Sequence, residues 1–73
     1  MILHNNLKEI RKQKNFTQED LADLVGVTRQ TIIAIEKEKF VPSVKLALEL
    51  AQASGVPFEK MFWLEESQGD KNE

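Results

Sequence analysis

Arg29, Gln30, Ile33 and Lys37 are spaced so that a helix would carry them on one side. Taking Ile32 as zero and advancing about 100° per residue, Arg29 falls at about 60°, Ile33 at about 100°, Lys37 at about 140°, Gln30 at about 160° and Ala34 at about 200°. Such a face has chemical meaning. An arginine donates two parallel hydrogen bonds to guanine, a glutamine pairs with the edge of adenine, and alanine or isoleucine offers an apolar contact to the thymine methyl group. A solvated helix face with one exposed isoleucine has the same composition, so these residue types alone leave both readings open.

The opposite arc positions that face. Ile35 at about 300°, Thr28 at about 320° and Thr31 at about 260° join Ile32 on the side that can enter a core. The segment VTRQTIIAIEKEKF thus places three isoleucines on two sides of one helix, with Ile33 turned away from Ile32 and Ile35.

Helix punctuation along the chain is dense. Asn5 or Asn6 can cap a first helix carrying Leu7, Ile10 and Arg11, and Asn15 tolerates the left-handed conformation that ends it. Thr17 caps a second helix with Asp20 three residues on, in the manner of a capping box. Leu21, Ala22, Leu24 and Val25 form its apolar stripe, and Gly26 stops it. Thr28 caps the third. Pro42 and Ser43 open a fourth helix, apolar at Val44, Leu46, Ala47, Leu48, Leu50 and Ala51, which Gly55 ends. Pro57 suits the first turn of a short fifth helix reaching Met61. Two apolar runs, Met1–Leu3 and Phe62–Leu64, have the residue types of short strands. Residues 1–66 are expected to form one domain, and the polar stretch 67–73 a disordered tail.

Composition narrows the function classes. A chain of 73 residues holds one small domain whose core alone is marginal, which favours a partner subunit. It contains no cysteine and a single histidine, His4, so thiolate metal sites and disulfides are excluded and no metal or other cofactor is expected. Without a glycine-rich phosphate loop or a closed pocket for its scattered carboxylates, the chain is not expected to be an enzyme. No apolar run approaches the roughly 20 residues of a membrane span, and the N-terminus lacks a basic segment followed by a long apolar one. A cytoplasmic location is expected. The net charge of −2 hides a gradient: residues 1–45 carry eight Lys/Arg and six Asp/Glu, whereas residues 46–73 carry two and six. Local potential, not the sum, governs contact with a polyanion.

The segment QEDLADLVGVTRQTIIAIEK, 18–37, closely resembles the helix-turn-helix of Cro/CI-type (XRE family) transcriptional regulators. Ala22, Gly26 and the aliphatics Leu21, Val25, Val27, Ile32 and Ile35 carry the pattern. The resemblance extends through LKEIRKQKNFTQEDLA, PSVKLALELA and GVPFEKMF, and with the apolar ends the whole is similar to the small homodimeric cytolysin-operon repressor type. It implies a mainly α, five-helix lambda-repressor-like fold with a two-stranded antiparallel β-ribbon joining Met1–Leu3 to Phe62–Leu64. The helix-turn-helix, about 17–37, would bind double-stranded DNA with its second helix, 28–37, in the major groove.

By the same resemblance Arg29, Gln30 and Ile33 are base readers, with Thr28 at the helix start near base or phosphate. Gln18 anchors a phosphate, and Lys37 and Lys39 grip the backbone beyond the recognition helix. Arg11 and Glu36 match a buried structural ion pair, which is favoured for Arg11 over phosphate contact. Phe58, Phe62, Trp63 and Leu64 are the candidates for a dimer surface; the bland alternative is ordinary core, the expected place of Phe58 and Met61. The chain departs from the pattern at IEKEKF, where relatives often have IENGK, and at Ile33, often a small or polar position. Losing the Asn-Gly pair predicts a recognition helix that runs longer or ends irregularly. The expected function is a DNA-binding regulator, most simply a repressor of an inverted-repeat operator, with no small-molecule effector evident. The alternative is a protein-interaction or antitoxin-like module that keeps the fold.

Overall fold

The computed structural model describes residues 1–66; the expected tail at 67–73 lies outside the described residues. Five helices and two strands follow in the order β1 (Ile2–Asn5), α1 (Leu7–Gln13), α2 (Gln18–Val25), α3 (Arg29–Glu36), α4 (Val44–Ser54), α5 (Phe58–Met61) and β2 (Phe62–Glu65). The strands pair antiparallel, with Leu3 opposite Leu64 and His4 opposite Trp63, so the two ends of the domain close on each other. Mainly helical architecture with a terminal β-ribbon is what the sequence predicts.

Side-chain chemistry sets the helix boundaries. Asn5, not Asn6, supplies the side chain that serves α1: its Oδ1 accepts from the Leu7 amide at 3.0 Å, while its Nδ2 donates to the Ile35 carbonyl at 2.9 Å and ties the end of β1 to α3. Asn15 takes φ 64°, and the amides of Asn15 and Phe16 return to the carbonyls of Lys12 and Arg11. That is the Schellman closure expected of a left-handed stop. Thr17 and Asp20 form a reciprocal capping box, Thr17 Oγ1 accepting from the Asp20 amide and Asp20 Oδ2 from the Thr17 amide, both at 2.9 Å. Hydrogen bonding of the carboxylate by Thr17, from its backbone N–H first and its hydroxyl second, holds the Asp20 carboxyl below the usual carboxylate range.

The capping box carries a pH signature. A lowered folded-state value stabilises the protein above the ordinary aspartate range, near about pH 3.9. The contribution is lost as pH falls through the lowered value. Urea denaturation across this window should therefore show a flatter acid limb for Asp20→Asn than for the parent. Thr17→Ala should cost about 1 kcal/mol at neutral pH, the usual worth of a threonine cap.

Helix α3 stops at Glu36 and does not run on. Lys37 is its C-cap and Glu38 adopts φ 60°; the Glu38 amide returns to the Ile35 carbonyl at 2.9 Å, and Lys39 to Ala34 at 2.9 Å. The stop has the regular Schellman form with glutamate in the left-handed position that glycine favours. Its carboxylate lies 3.0 Å from His4 Nδ1, which fastens the stop to β1. Relative to Glu38→Ala, which loses the same His4 contact but keeps the left-handed strain, Glu38→Gly should be more stable by about 1 kcal/mol, read as a higher urea midpoint at unchanged slope.

The core comprises Leu7 and Ile10 of α1, Leu21 and Ala22 of α2, Ile32 and Ile35 of α3, Ala47, Leu50 and Ala51 of α4, with Met61 and Phe62 closing the end. Several apolar positions expected inside are not there. Leu24 is 57 % exposed, and Val44 and Leu48 are exposed on the outer side of α4. Each lies off the arc its helix presents to its neighbours, which is centred on Leu21, Ala22 and Val25 in α2 and on Ala47, Leu50 and Ala51 in α4. Of the two phenylalanines named as candidates for the dimer surface, Phe58, for which the core was the alternative, is 38 % exposed, while Phe62 is 3 % exposed and belongs to the core. The rings stack with centroids 5.5 Å apart, Phe58 lying outside Phe62.

Candidate nucleic-acid interface

Helices α2 and α3 form a tight angular pair. Gly26 takes φ 74° at the turn, and a Cβ there would meet nothing within 4 Å, so its backbone conformation and not crowding calls for glycine. Ala22 is buried, and its small side chain lets the two helices approach closely. Thr28 then starts α3, its Oγ1 accepting from the Thr31 amide at 3.3 Å and lying 3.2 Å from Thr31 Oγ1.

With Ile32 and Ile35 fully buried, the wheel orientation of α3 is fixed. Arg29, Gln30 and Lys37 are exposed, Ile33 and Ala34 are half-buried on the same outward side, and Lys39 is exposed just beyond the helix. Gln18 stands at the first turn of α2, beside the start of α3. Thus Gln18, Thr28, Arg29, Gln30, Ile33, Lys37 and Lys39 gather along α3 and its two ends. No ion pair engages Arg29, Lys37 or Lys39 among the described residues, so their charge faces outward uncompensated.

Behind this face lies a buried polar cluster. Arg11 Nε donates to Glu36 Oε2 at 2.7 Å and its Nη2 to Oε1 at 3.4 Å, with the two side chains only 9 % and 5 % exposed. Arg11 Nη1 donates to the Phe16 carbonyl at 3.0 Å, so the guanidinium is committed inward. Gln18 Nε2 donates to Glu36 Oε1 at 3.2 Å, and Arg29 Nε donates to Gln18 Oε1 at 3.4 Å.

The helix-turn-helix family model (HTH_3) matches residues 7–61, spanning α1 through α5. The chain belongs to that family. Among curated helix-turn-helix proteins it is 48 % identical over 64 residues to the uncharacterised transcriptional regulator YgzD of Bacillus subtilis, covering 88 % of this chain and 97 % of that one. It is 52 % identical over 66 residues to the uncharacterised regulator MJ0272 of Methanocaldococcus jannaschii, covering 90 % and 100 % respectively. Among solved structures it is similar to the restriction-modification controller protein C.AhdI of Aeromonas hydrophila, with TM-score 0.70 and 31 % identity over 74 % of this chain and 78 % of that one.

The rest of this helix-turn-helix protein's surface is less uniform. Trp63 is 38 % exposed and Leu64 more so, whereas Phe62 has almost no surface left to offer a partner. The Trp63 ring stacks on His4 with centroids 6.3 Å apart, and its Nε1 donates to Glu65 Oε2 at 3.2 Å. Through His4 and Glu38 this side of the ribbon reaches the α3–α4 loop. There Phe40 and Val41 are exposed apolar residues that the sequence reading passed over; the run Phe40-Val41-Pro42 between two helices was their available signal. Two surface hollows share Leu24 as a wall, one with Val25, Glu49, Gln52 and Ala53 and one with Asn15, Phe16, Asp20 and Asp23. Neither includes a residue of the α3 face. Among the described residues no cluster of His, Asp or Glu is placed to hold a metal, and no helix is long and apolar enough to cross a membrane.

Proposed function

We propose that this protein is a sequence-specific DNA-binding transcriptional regulator, a homodimeric repressor of the small cytolysin-repressor type. The observation that carries the reading is the face of α3: Arg29, Gln30 and Ile33 point away from a core fixed by Ile32 and Ile35, with Lys37 and Lys39 at its end. Arg29 and Gln30 read base edges, Ile33 meets a thymine methyl group, and Thr28 contacts base or phosphate at the helix start. Gln18, at the positive end of α2, anchors a phosphate, and Lys37 and Lys39 grip the backbone. The family and the likeness to a controller protein support the same reading.

Phe58, Trp63 and Leu64 supply apolar surface for a second copy of the chain. A twofold dimer would present two α3 helices to inverted half-sites roughly 34 Å apart, and repression would follow from occupying a promoter. The test is selection from a random DNA pool followed by titration of the recovered duplex at several salt concentrations. An inverted repeat should emerge, and affinity should fall with a log–log slope of about −0.9 per phosphate neutralised. A pool that yields no consensus, or binding indifferent to salt, would overturn the reading.

A further inference from the structure

Four side chains run inward from the outer face of α3 as one polar chain: Arg29, Gln18, Glu36 and Arg11. The geometry points to a second role for Glu36, as the positioning residue that fixes the sense of the Gln18 amide and, through it, the resting direction of Arg29. This inference rests on the DNA-binding reading and assigns a determinant of its specificity.

The argument comes from donor and acceptor inventory. An ionised carboxylate only accepts and a guanidinium only donates, whereas a primary amide has one donating end and one accepting end. Glu36 is held against Arg11 at 2.7 Å and turns Oε1 toward Gln18, so the amide must present Nε2 inward, where it donates at 3.2 Å. Oε1 of Gln18 is thereby forced outward, and Arg29 Nε donates to it at 3.4 Å. Reversing the amide would set oxygen against carboxylate and NH2 against guanidinium, losing both contacts. The buried ion pair therefore imposes a single polarity on the chain as far as the surface.

The outer link is the longest, so Arg29 is steered and not locked. With Nε turned to Gln18, its Nη1 and Nη2 edge stays available for the paired acceptors of a guanine. Holding a long side chain near its bound direction lowers the ordering cost of binding. Gln18 is a positioning residue in the same sense, and its backbone N–H, at the first turn of α2, is left to meet a phosphate.

The experiment compares wild type, Gln18→Met, Arg29→Ala and the double variant on the duplex selected from the random pool and on the same duplex with the Arg29-dependent base pair exchanged. Gln18→Met should lower discrimination between the duplexes about tenfold, yet change little once Arg29 is alanine. The pair Arg11→Met with Glu36→Leu removes the inner acceptor while filling the space with apolar groups. It should melt cooperatively and lose discrimination as Gln18→Met does. In the free protein, the Arg29 Nε–H resonance should move in both variants. Equal loss on both duplexes regardless of Arg29, or a folded Arg11→Met/Glu36→Leu protein that discriminates like wild type, overturns the inference. A moved resonance with no duplex selected by the wild type would leave the polar chain standing and remove the DNA-binding reading instead.

Discussion

Replacing Glu36 by alanine is expected to leave most of the protein unfolded at room temperature. The substitution strands the Arg11 guanidinium, whose side chain is 9 % exposed, with only the Phe16 carbonyl as partner, and removes the acceptor for Gln18. Breaking a buried ion pair from one side costs about 3–5 kcal/mol, because the remaining charge stays desolvated and unpaired. A single core in a chain this short supplies only about 3–5 kcal/mol in total. The two quantities are of the same size, so little folded protein should remain. Far-ultraviolet circular dichroism with urea denaturation, at a concentration low enough to limit association, measures it. Replacing both partners by apolar residues of similar volume, Arg11→Met with Glu36→Leu, should recover much of the loss, since no charge is then left buried. A Glu36→Ala protein that unfolds within about 1 kcal/mol of wild type would mean that the pair is solvated and behaves as a surface bridge.

The contrast between the two substitutions also separates what was legible in the sequence from what was not. Local chemistry was legible. Thr17 with Asp20, Asn15, Gly26 and Ser43 mark boundaries because a cap or a left-handed stop depends on residues three or four apart. The orientation of α3 was legible too, because Ile32 and Ile35 outweigh any other arc of that helix. The β-ribbon was foreseen mainly by resemblance, as strands at opposite ends of a chain share no local signal. Burial on α2 and α4 was misjudged because a wheel says which residues share an arc and not how wide an arc the neighbours cover. Leu24, Val44 and Leu48 sit just past those edges.

Phe62 was misplaced for a different reason. Phe62–Leu64 was expected as a strand, but three apolar residues in a row do not say which of them faces inward; the structure buries Phe62, at φ −125° and ψ 139°, and leaves Trp63 and Leu64 exposed. Glu38 could not be foreseen as the stop of α3, since glutamate has no preference for the left-handed region; the Schellman bonds and the His4 contact impose it. The polar chain from Arg11 to Arg29 was only half visible. Its ion pair was expected by resemblance, but the direction of the Gln18 amide depends on distances that no spacing rule supplies.

Arg29→Ala combined with Gln30→Ala should abolish specific recognition while leaving the fold intact. Both side chains are exposed at the start of α3, and neither fills the core, so the melting curve and the oligomeric state should stay within error of wild type. Each well-formed two-bond contact to a base is worth about 1–3 kcal/mol of discrimination. Removing both should weaken binding to the selected operator by about 30-fold to 10⁴-fold, toward the level of random DNA. The salt slope should shrink by at most about one phosphate equivalent, because Lys37, Lys39 and the α2 N-terminus still address the backbone. That pattern, specificity lost and electrostatics kept, distinguishes a base-reading face from a charged surface that merely adheres to DNA. Unchanged affinity for the selected duplex would instead place recognition elsewhere on the molecule. The exposed α3 face would then be a surface for protein partners, with the half-buried Ile33 at its centre. The same double variant decides between the two functions because it alters the face without touching Ile32, Ile35 or the Arg11–Glu36 pair that hold it in place.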